Sequence, residues 1–551
     1  MYLRYYTSKL FLLFTALFCL LVSCKKHLNL TPQASLSDAD FWKSANDMAL
    51  ACNYFYTYLP GIDNNTAANW SDDGFSNSGG PNVISNGSRQ APTTSGDWSG
   101  PYKLIFNCNH LLEKAVDVPD DETLVNRYRA EARFFRAWAY YELVKKFGDV
   151  PLILRTFDVN DTLTQAHRTH KETVLDTAYA DIEFAVHHLP TAAELPVAEY
   201  GRITKGAALA LKARIGLFAG TRNKFHGEGN AEKHLNACID ACTAIMQDGA
   251  YGLFTYDKNV DSSYYYLFQY AGEGNANKEN ILVRLYGENM DNSIVSHNYP
   301  ANLGSGNGTT PTRALMDAYL YQDGLPADKS PYYKEQENSL TEFEHRDPRM
   351  GMTVFNKNVW YLTSLDQPTF TFAATGYKSR KYFIIDDFIN KKSFIDNIVI
   401  RYAEVLLMYA EAKYELEGSI SDEDLNRSIN LIRARVNMPN LTNDFVTNHQ
   451  LDMREEIRRE RRIELAFEGE HRYWDLIRWK IAETELPKAI RGSKYFPQEQ
   501  TGINNPNLDA NGFVIVEAAS KRNFNPERDY LWALPVQDIG LDKNLYQNPN
   551  W

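Results

Sequence analysis

Long stretches of this chain carry apolar residues at the three- and four-residue spacing of an α-helix. The clearest example contains RYRAEARFFRAWAYYELVKKF and covers residues 122–147, and it is followed by Gly148 and Pro151, which commonly end helices. Comparable patterns cover residues 33–58, 102–115, 174–188, 204–219, 398–418 and 451–480. The sequence therefore predicts a mainly α-helical protein.

Two long segments of different character interrupt the helical pattern. Residues 61–100 are rich in Asn, Ser, Gly, Asp and Pro, and residues 249–392 combine turn dipeptides with aromatic clusters such as SYYYLFQY. An irregular segment of such length in a compact protein is usually functional or disordered. These two segments are the first places to look for ligand-contacting residues.

The composition excludes several classes of protein. With 44% apolar and 23% charged residues among 551, the chain has the composition of a folded globular protein. The net charge of -12 argues against a nucleic-acid carrier, which needs a basic surface. Six cysteines are too few for a disulfide scaffold. Cys238 and Cys242 could form half a metal site, but without a matching pair elsewhere we interpret them as buried thiols.

The N-terminus has the pattern of a targeting segment. Arg4 and Lys9 precede an uncharged, mainly apolar run at residues 10–22, which as a helix reaches about 20 Å, short of the ~30 Å hydrocarbon core. This run predicts a signal peptide rather than a membrane span. It ends in LVSC, which resembles a bacterial lipobox, so we expect lipidation at Cys24. An ordinary secretory signal with a chance cysteine is the alternative.

A charged run, REEIRRERRIE, lies within the last long helical pattern. Its charges alternate in sign, and Glu455 and Arg459 are four residues apart, as in i,i+4 helical ion pairs. On spacing alone, the run predicts a solvated helix face rather than a basic patch or a carboxylate cluster.

Several segments, in order along the chain, resemble the SusD/RagB family of outer-membrane lipoproteins. The most specific is IRRERRIELAFEGEHRYWDLIRW at residues 457–479. The others are RAEARFFRAWAYYELVKKFGDVPLI, residues 202–219, TPTRALMDAYLYQDG, RDPRM, IVIRYAEVLLMYAEA and the ending YLWALPVQDIGLDKNLYQNPNW. Family members typically close with a QNPGY-like tail, where this chain has QNPNW.

The resemblance implies a SusD-like fold with about four tetratricopeptide-like helix pairs and irregular, loop-rich insertions. It divides the chain into a signal peptide (1–23), a lipidated tether (24–34) and one domain (35–551), whose helical parts, 35–248 and 393–551, flank a loop-rich insertion at 249–392. It implies a non-catalytic binding protein. The sequence predicts no metal site and no cofactor, although a calcium ion at an Asp-rich loop stays open without EF-type spacing to support it.

The same resemblance implies a place and partners for the protein. It would be held in the outer membrane by its lipid, facing the cell exterior, as the lid of a SusC-like TonB-dependent transporter. Its ligand would be an oligosaccharide, or less often a peptide as in RagB-like proteins. Many surface-exposed relatives carry acidic residues after the lipidated cysteine, whereas this chain has Lys25, Lys26 and His27.

A sugar site needs exposed aromatic planes with carboxylates, amides or arginines at their edges. In the family, such residues come from loops. The candidate ligand-binding residues are Trp70, Asp72, Asp73 and Arg89 in the first irregular segment and Tyr264, Tyr265, Tyr266 and Trp360 in the second. We favour Trp70 with the two aspartates, and we expect Trp98 to be a packing residue.

Catalytic patterns are weak. Glycoside hydrolysis needs two carboxylates with different pKa values at a defined separation. The chain has adjacent acidic pairs such as Asp386-Asp387, but adjacency in sequence says little about the distance between the carboxylates in space. The sequence contains no HExxH, GxSxG or GxxxxGK[ST] motif. A secreted helical glycan-degrading enzyme and a helical-repeat scaffold that binds only proteins remain as alternatives.

Overall fold

A computed structural model describes most of the chain beyond its N-terminus. The described residues are 41–77, 80–257, 261–287, 296–304, 308–356, 359–361, 364–365, 373–499 and 504–551. The predicted signal peptide, Cys24 and the predicted tether lie outside them.

Helices dominate this part of the chain, which confirms the mainly α prediction. The α-helices are α1 (Ala45–Phe55), α2 (Gly96–Lys114), α3 (Glu122–Phe147), α4 (Lys171–His188), α5 (Lys205–His226), α6 (Ala231–Asp248), α7 (Ser263–Tyr266), α8 (Tyr299–Gly304), α9 (Arg313–Ala318), α10 (Pro348–Thr353), α11 (Ile385–Asn390), α12 (Tyr402–Glu417), α13 (Asp422–Asn426), α14 (Ile429–Arg435), α15 (Asn443–Asn448), α16 (Met453–Glu464), α17 (His471–Arg478), α18 (Ala482–Glu485) and α19 (Val536–Leu541). Among the described residues, no helix is both long and apolar enough to cross a lipid bilayer.

The strands are short and pair in twos, always antiparallel. They are β1 (Gly74–Ser76), β2 (Val150–Pro151), β3 (Arg168–Thr169), β4 (Asn280–Arg284), β5 (Thr309–Pro311), β6 (Trp360–Tyr361), β7 (Ser364–Leu365), β8 (Asn397–Arg401), β9 (Ile490–Lys494) and β10 (Phe513–Glu517). The pairs are β1–β5, β2–β3, β4–β8, β6–β7 and β9–β10. The β1–β5 pair joins the two irregular segments, and β4–β8 joins the second of them to the C-terminal helical part, whereas the other three pairs are local.

The longest helix, α3, has the bounds that its sequence predicts. The Asp121 side chain accepts hydrogen bonds from the amides of Thr123 (2.9 Å) and Leu124 (3.2 Å), which satisfies donors that a helix start leaves free. Gly148 ends the helix with a φ of 74°, a backbone region that favours glycine. The strongest helix signal in the sequence is therefore confirmed at both ends.

Neighbouring helices pack in sequence order, α3 on α4 and α5 on α6, with α12 against α6. Helices α5 and α6 lie so close together that a Cβ added at Gly216 would be 2.6 Å from the carbonyl oxygen of His234. Cys238 and Cys242 lie fully buried on α6, which confirms their interpretation as buried thiols. Trp98 is also buried and contacts Phe147, as expected for a packing residue.

The charged run on α16 is not a solvated face, so that prediction is wrong. Glu456, Glu460 and Glu464 are buried, because α16 lies between other helices and the insertion. Glu455 accepts a hydrogen bond from Arg458 (3.2 Å) instead of the predicted Arg459. Burial by distant segments, which spacing does not encode, explains the difference.

The predicted helix at residues 451–480 is also interrupted. Helix α16 ends at Glu464 and α17 begins at His471. Between them Phe467 and Gly469 have φ angles of 59° and 85°, which no α-helix accommodates. The turn directs α17 back towards the first irregular segment.

Candidate ligand-binding surface

Asp72 and Asp73 form an internal ion-pair cluster with two arginines. Asp73 accepts from Arg462 Nε (2.8 Å), and both oxygens of Asp72 accept from Arg472 (2.9 and 3.0 Å). The two aspartates are only 5% and 2% exposed. Burial alone would raise the pKa of Asp72, but Arg462 and Arg472 outweigh it and hold that pKa well below its usual range. In this structure neither aspartate presents the free carboxylate that the sequence prediction required.

Trp70 and Arg89 both pack against the C-terminal segment. Trp70 is half-buried, with its ring centroid 5.9 Å from that of Tyr473 and 5.6 Å from that of Trp532. The buried Arg89 guanidinium lies 5.2 Å from the rings of Trp532 and Trp551. Both residues tie the first irregular segment to the C-terminal segment. Trp70 keeps part of its surface exposed, so its place in a ligand site stays a prediction.

Tyr264 is fully buried. Its hydroxyl donates to the Glu464 carbonyl (2.7 Å) and accepts from Lys381 Nζ (2.7 Å). Burial raises the pKa of this hydroxyl well above its usual value, so it stays protonated. The side chain has no surface to offer a ligand, which corrects its place among the candidates.

The neighbouring tyrosines do reach the surface. We call Tyr256, Tyr265, Tyr266 and Arg380 the tyrosine cluster; all four are half-buried. Tyr256 and Tyr266 stack with ring centroids 3.8 Å apart and planes 23° apart, and Tyr265 meets Tyr266 edge-on at 5.2 Å. The Arg380 guanidinium lies over Tyr265 at 4.3 Å. The cluster thus combines aromatic planes with a cation.

Short elements of the insertion hold this cluster in place. Helix α7 carries Tyr265 and Tyr266, and the Tyr256 amide donates to the Ser263 hydroxyl at 3.1 Å. Helix α7 packs on α10. Arg380 is fixed from the other side, since its amide donates to Thr353 (2.7 Å) and its Nη1 to the Gly351 carbonyl (2.8 Å).

Trp360 belongs to the hairpin of β6 and β7, where its backbone pairs with Leu365. Its side chain lies outside the described part of the structure, so its place in a site stays a prediction. Tyr332 and Tyr333, which are not among the residues predicted to bind ligand, are 44% and 53% exposed. The sequence feature that could have pointed to them is a Tyr-Tyr pair that follows Pro331 in a turn-rich segment.

A partly open pocket of about 340 Å³ is lined by residues of α2, α3, α5 and α17, among others. Its charged lining is paired: Lys145 with Glu142 (2.7 Å) and Lys146 with Asp97 (2.7 Å) among others. Within the described residues, no group of three His, Cys, Asp or Glu side chains is placed to hold a metal ion.

Comparison with known proteins places this fold in a family. The model of the SusD family matches residues 256–551. The chain belongs to the SusD family. A second family model, described as starch-binding and associating with the outer membrane, matches residues 53–217. The tyrosine cluster lies in the first matched range. Trp70, Asp72 and Asp73 lie in the second, and their packing and ion-pair partners lie in the first.

Individual SusD-like proteins align with this chain, two of those described here over most of its length. A SusD-like protein of Formosa agariphila is 25% identical over 491 residues, covering 85% of this chain and 90% of its own. The crystal structure of a SusD-like carbohydrate-binding protein from Bacteroides fragilis is 26% identical, covers 92% of this chain and 100% of its own, and has a TM-score of 0.75. The starch-binding protein SusD of Bacteroides thetaiotaomicron is 29% identical over 143 residues, 25% of this chain and 24% of its own.

Proposed function

We propose that this SusD-family protein is a non-catalytic glycan-binding lipoprotein of the outer membrane. It is anchored through Cys24, faces the cell exterior, and passes oligosaccharides to a SusC-like TonB-dependent transporter as its lid. Family membership supports the glycan class, since similar proteins carry the names carbohydrate-binding and starch-binding. The lipobox-like LVSC supports the anchor.

The tyrosine cluster is the single observation that carries the glycan proposal. Sugar rings present apolar C–H faces that pack on aromatic planes, while their hydroxyls need donors at the rim. The half-exposed pair Tyr256 and Tyr266 supplies stacked planes, and Arg380 supplies guanidinium donors beside Tyr265. Its short supporting elements fix the rings before a ligand arrives, which lowers the entropy cost of binding.

Isothermal titration with maltooligosaccharides and laminarin oligosaccharides tests this proposal. Tyr266→Ala removes one of the two stacked rings and is expected to weaken binding about tenfold, or ~1.4 kcal/mol. Tyr332→Ala, an exposed tyrosine outside the cluster, is the matched control and should bind as the wild type does.

Three results would contradict the proposal. One is an equal loss of affinity in Tyr266→Ala and Tyr332→Ala. Another is tight binding of peptides with no heat from any glycan, which would favour a RagB-like peptide carrier. The third is release of reducing ends from the oligosaccharides, which would reveal an enzyme.

A further inference from the structure

A second concave surface lies where α4 is joined to α5. The connector at residues 190–204 faces residues 275–283, which lead into and form most of β4, and a pocket of about 280 Å³ lies between them. We call it the connector pocket; its lining includes Pro196, Tyr200, Tyr251, Asn275, Asn280 and Val283. Its volume is near the lower end for ligand sites, so it suits one small ring rather than a long chain. No member of the tyrosine cluster lines it.

One side of the connector pocket is apolar and aromatic. Ile281 and Val283 are buried and form part of its wall. Val197 also lines it although 73% of its side chain is exposed, an apolar surface left open to solvent. Tyr200 and Tyr251 add two half-buried rings. A ligand with an apolar face would cover surface that water now contacts.

The other side carries uncharged hydrogen-bonding groups. Asn280 Nδ2 donates to the Tyr200 hydroxyl (3.2 Å) and to the Gly272 carbonyl (3.1 Å). Asn280 Oδ1 is enclosed and has no hydrogen-bond partner within the described residues. An enclosed acceptor without a partner is costly unless a donor reaches it. Asn275 adds an exposed amide at the rim.

The lining carries little free charge. None of the described residues that line the pocket is Asp or Glu. The one arginine, Arg202, is paired with both carboxylate oxygens of Glu131 (3.0 and 2.8 Å), and Lys278 is exposed. Burial raises the pKa values of Tyr200 and Tyr251, so both hydroxyls stay protonated. Such a lining favours a neutral ligand over an ion.

Backbone hydrogen bonds hold both walls in place. The Lys205 amide donates to the Pro190 carbonyl (2.8 Å), which closes the connector on the start of α5. The Gly252 amide donates to the Lys278 carbonyl (3.1 Å) on the opposite wall. The connector pocket is therefore formed without a ligand, as most small-molecule sites are.

We propose that the connector pocket binds a single uncharged saccharide ring, with an apolar ring face on the aromatic and aliphatic wall and hydroxyls towards Asn280 and Asn275. This is a second site, separate from the tyrosine cluster. It goes beyond the proposed function because it shares no residue with that cluster.

Saturation-transfer NMR of the full chain with methyl glucoside, methyl galactoside and methyl xyloside tests this site. At least one of these should receive saturation from the protein, with a Kd of about 1 mM. Ala193→Trp places an indole at an exposed position of the pocket lining and should weaken binding at least tenfold. Ala198→Trp, exposed on the same connector but outside the lining, should have no effect.

All of these measurements are made in the Tyr266→Ala background, in which the tyrosine cluster lacks one of its stacked rings, so that failure of the connector pocket is distinguished from failure of the cluster. The proposal is overturned if none of the three glycosides receives saturation, or if the signal survives Ala193→Trp. It is also overturned if glucuronate binds more tightly than methyl glucoside, since the site would then select a charge.

Discussion

At the scale of single residues, the environment of Trp70 shows how packing decides a side chain's role. Its indole lies between Tyr473 and Trp532, and the neighbouring Asp72 binds Arg472, 400 positions further along the chain. Aromatic and acidic residues in a polar loop predict a sugar site by composition alone. Their partners come from distant segments, and local sequence has no signal for such contacts. Composition could therefore propose these residues but could not predict their burial.

Trp70→Ala should destabilise the protein rather than disturb its ligand site. Removing the half-buried ring leaves a cavity against Tyr473 and Trp532, which should cost about 2–3 kcal/mol of unfolding free energy. Thermal unfolding would measure the loss, with the exposed Tyr333→Ala as a control that changes little. An unchanged melting temperature together with weakened oligosaccharide binding would contradict the packing role.

At the scale of elements, a buried ion network joins the insertion to the C-terminal helices. Its members are the cations Arg349, Lys381, Arg401, Arg433 and Arg435 and the carboxylates Glu279, Asp347, Glu460, Glu464 and Glu468. At its centre, Glu464 accepts from Arg349 (2.9 Å), Arg401 (2.7 Å) and Arg435. Burying such charges costs desolvation free energy, but removing one partner leaves another charge buried and unpaired. Helix α16 thus fixes the segments that carry the tyrosine cluster.

The network predicts a loss of stability in acid. Burial would raise the pKa of Glu464, but its three guanidinium partners hold that pKa well below its usual value. Burial acts in the same way on Glu468, and Arg401 and Lys381 outweigh it and lower the pKa of that carboxyl. A carboxyl group whose pKa is lower in the folded state than its unfolded-state value of about 4.3 stabilises the folded protein above that pH. This stabilisation is lost as the pH falls through the folded-state pKa. The melting temperature should therefore drop between about pH 5 and pH 3.

The variant Glu464→Gln checks the origin of this acid effect. It should lower stability at pH 7 by about 3–5 kcal/mol, because three arginines lose their shared partner, and it should flatten the acid dependence. Glu335→Gln, at a carboxylate 87% exposed, is the control. An equal acid dependence in wild type and Glu464→Gln would rule out the network as its source.

At the scale of the whole molecule, the sequence predicted the architecture better than the site. Helix periodicity and end signals, as at α3, depend on nearby residues and were confirmed. The break after Glu464 and the burial of α16 depend on contacts between the insertion and the helical body, so spacing could not show them. Of the tyrosines predicted to bind ligand, Tyr265 and Tyr266 reach the surface and Tyr264 does not, although all three are adjacent.

Hydrogen exchange with and without a maltooligosaccharide tests most directly whether the insertion forms the binding surface. The account predicts slower exchange in peptides that cover α7 and Arg380 when the glycan is present, because bound ligand restrains their opening. Peptides around Asp72 should not change. Protection confined to residues 62–77, with none at α7, would contradict the account.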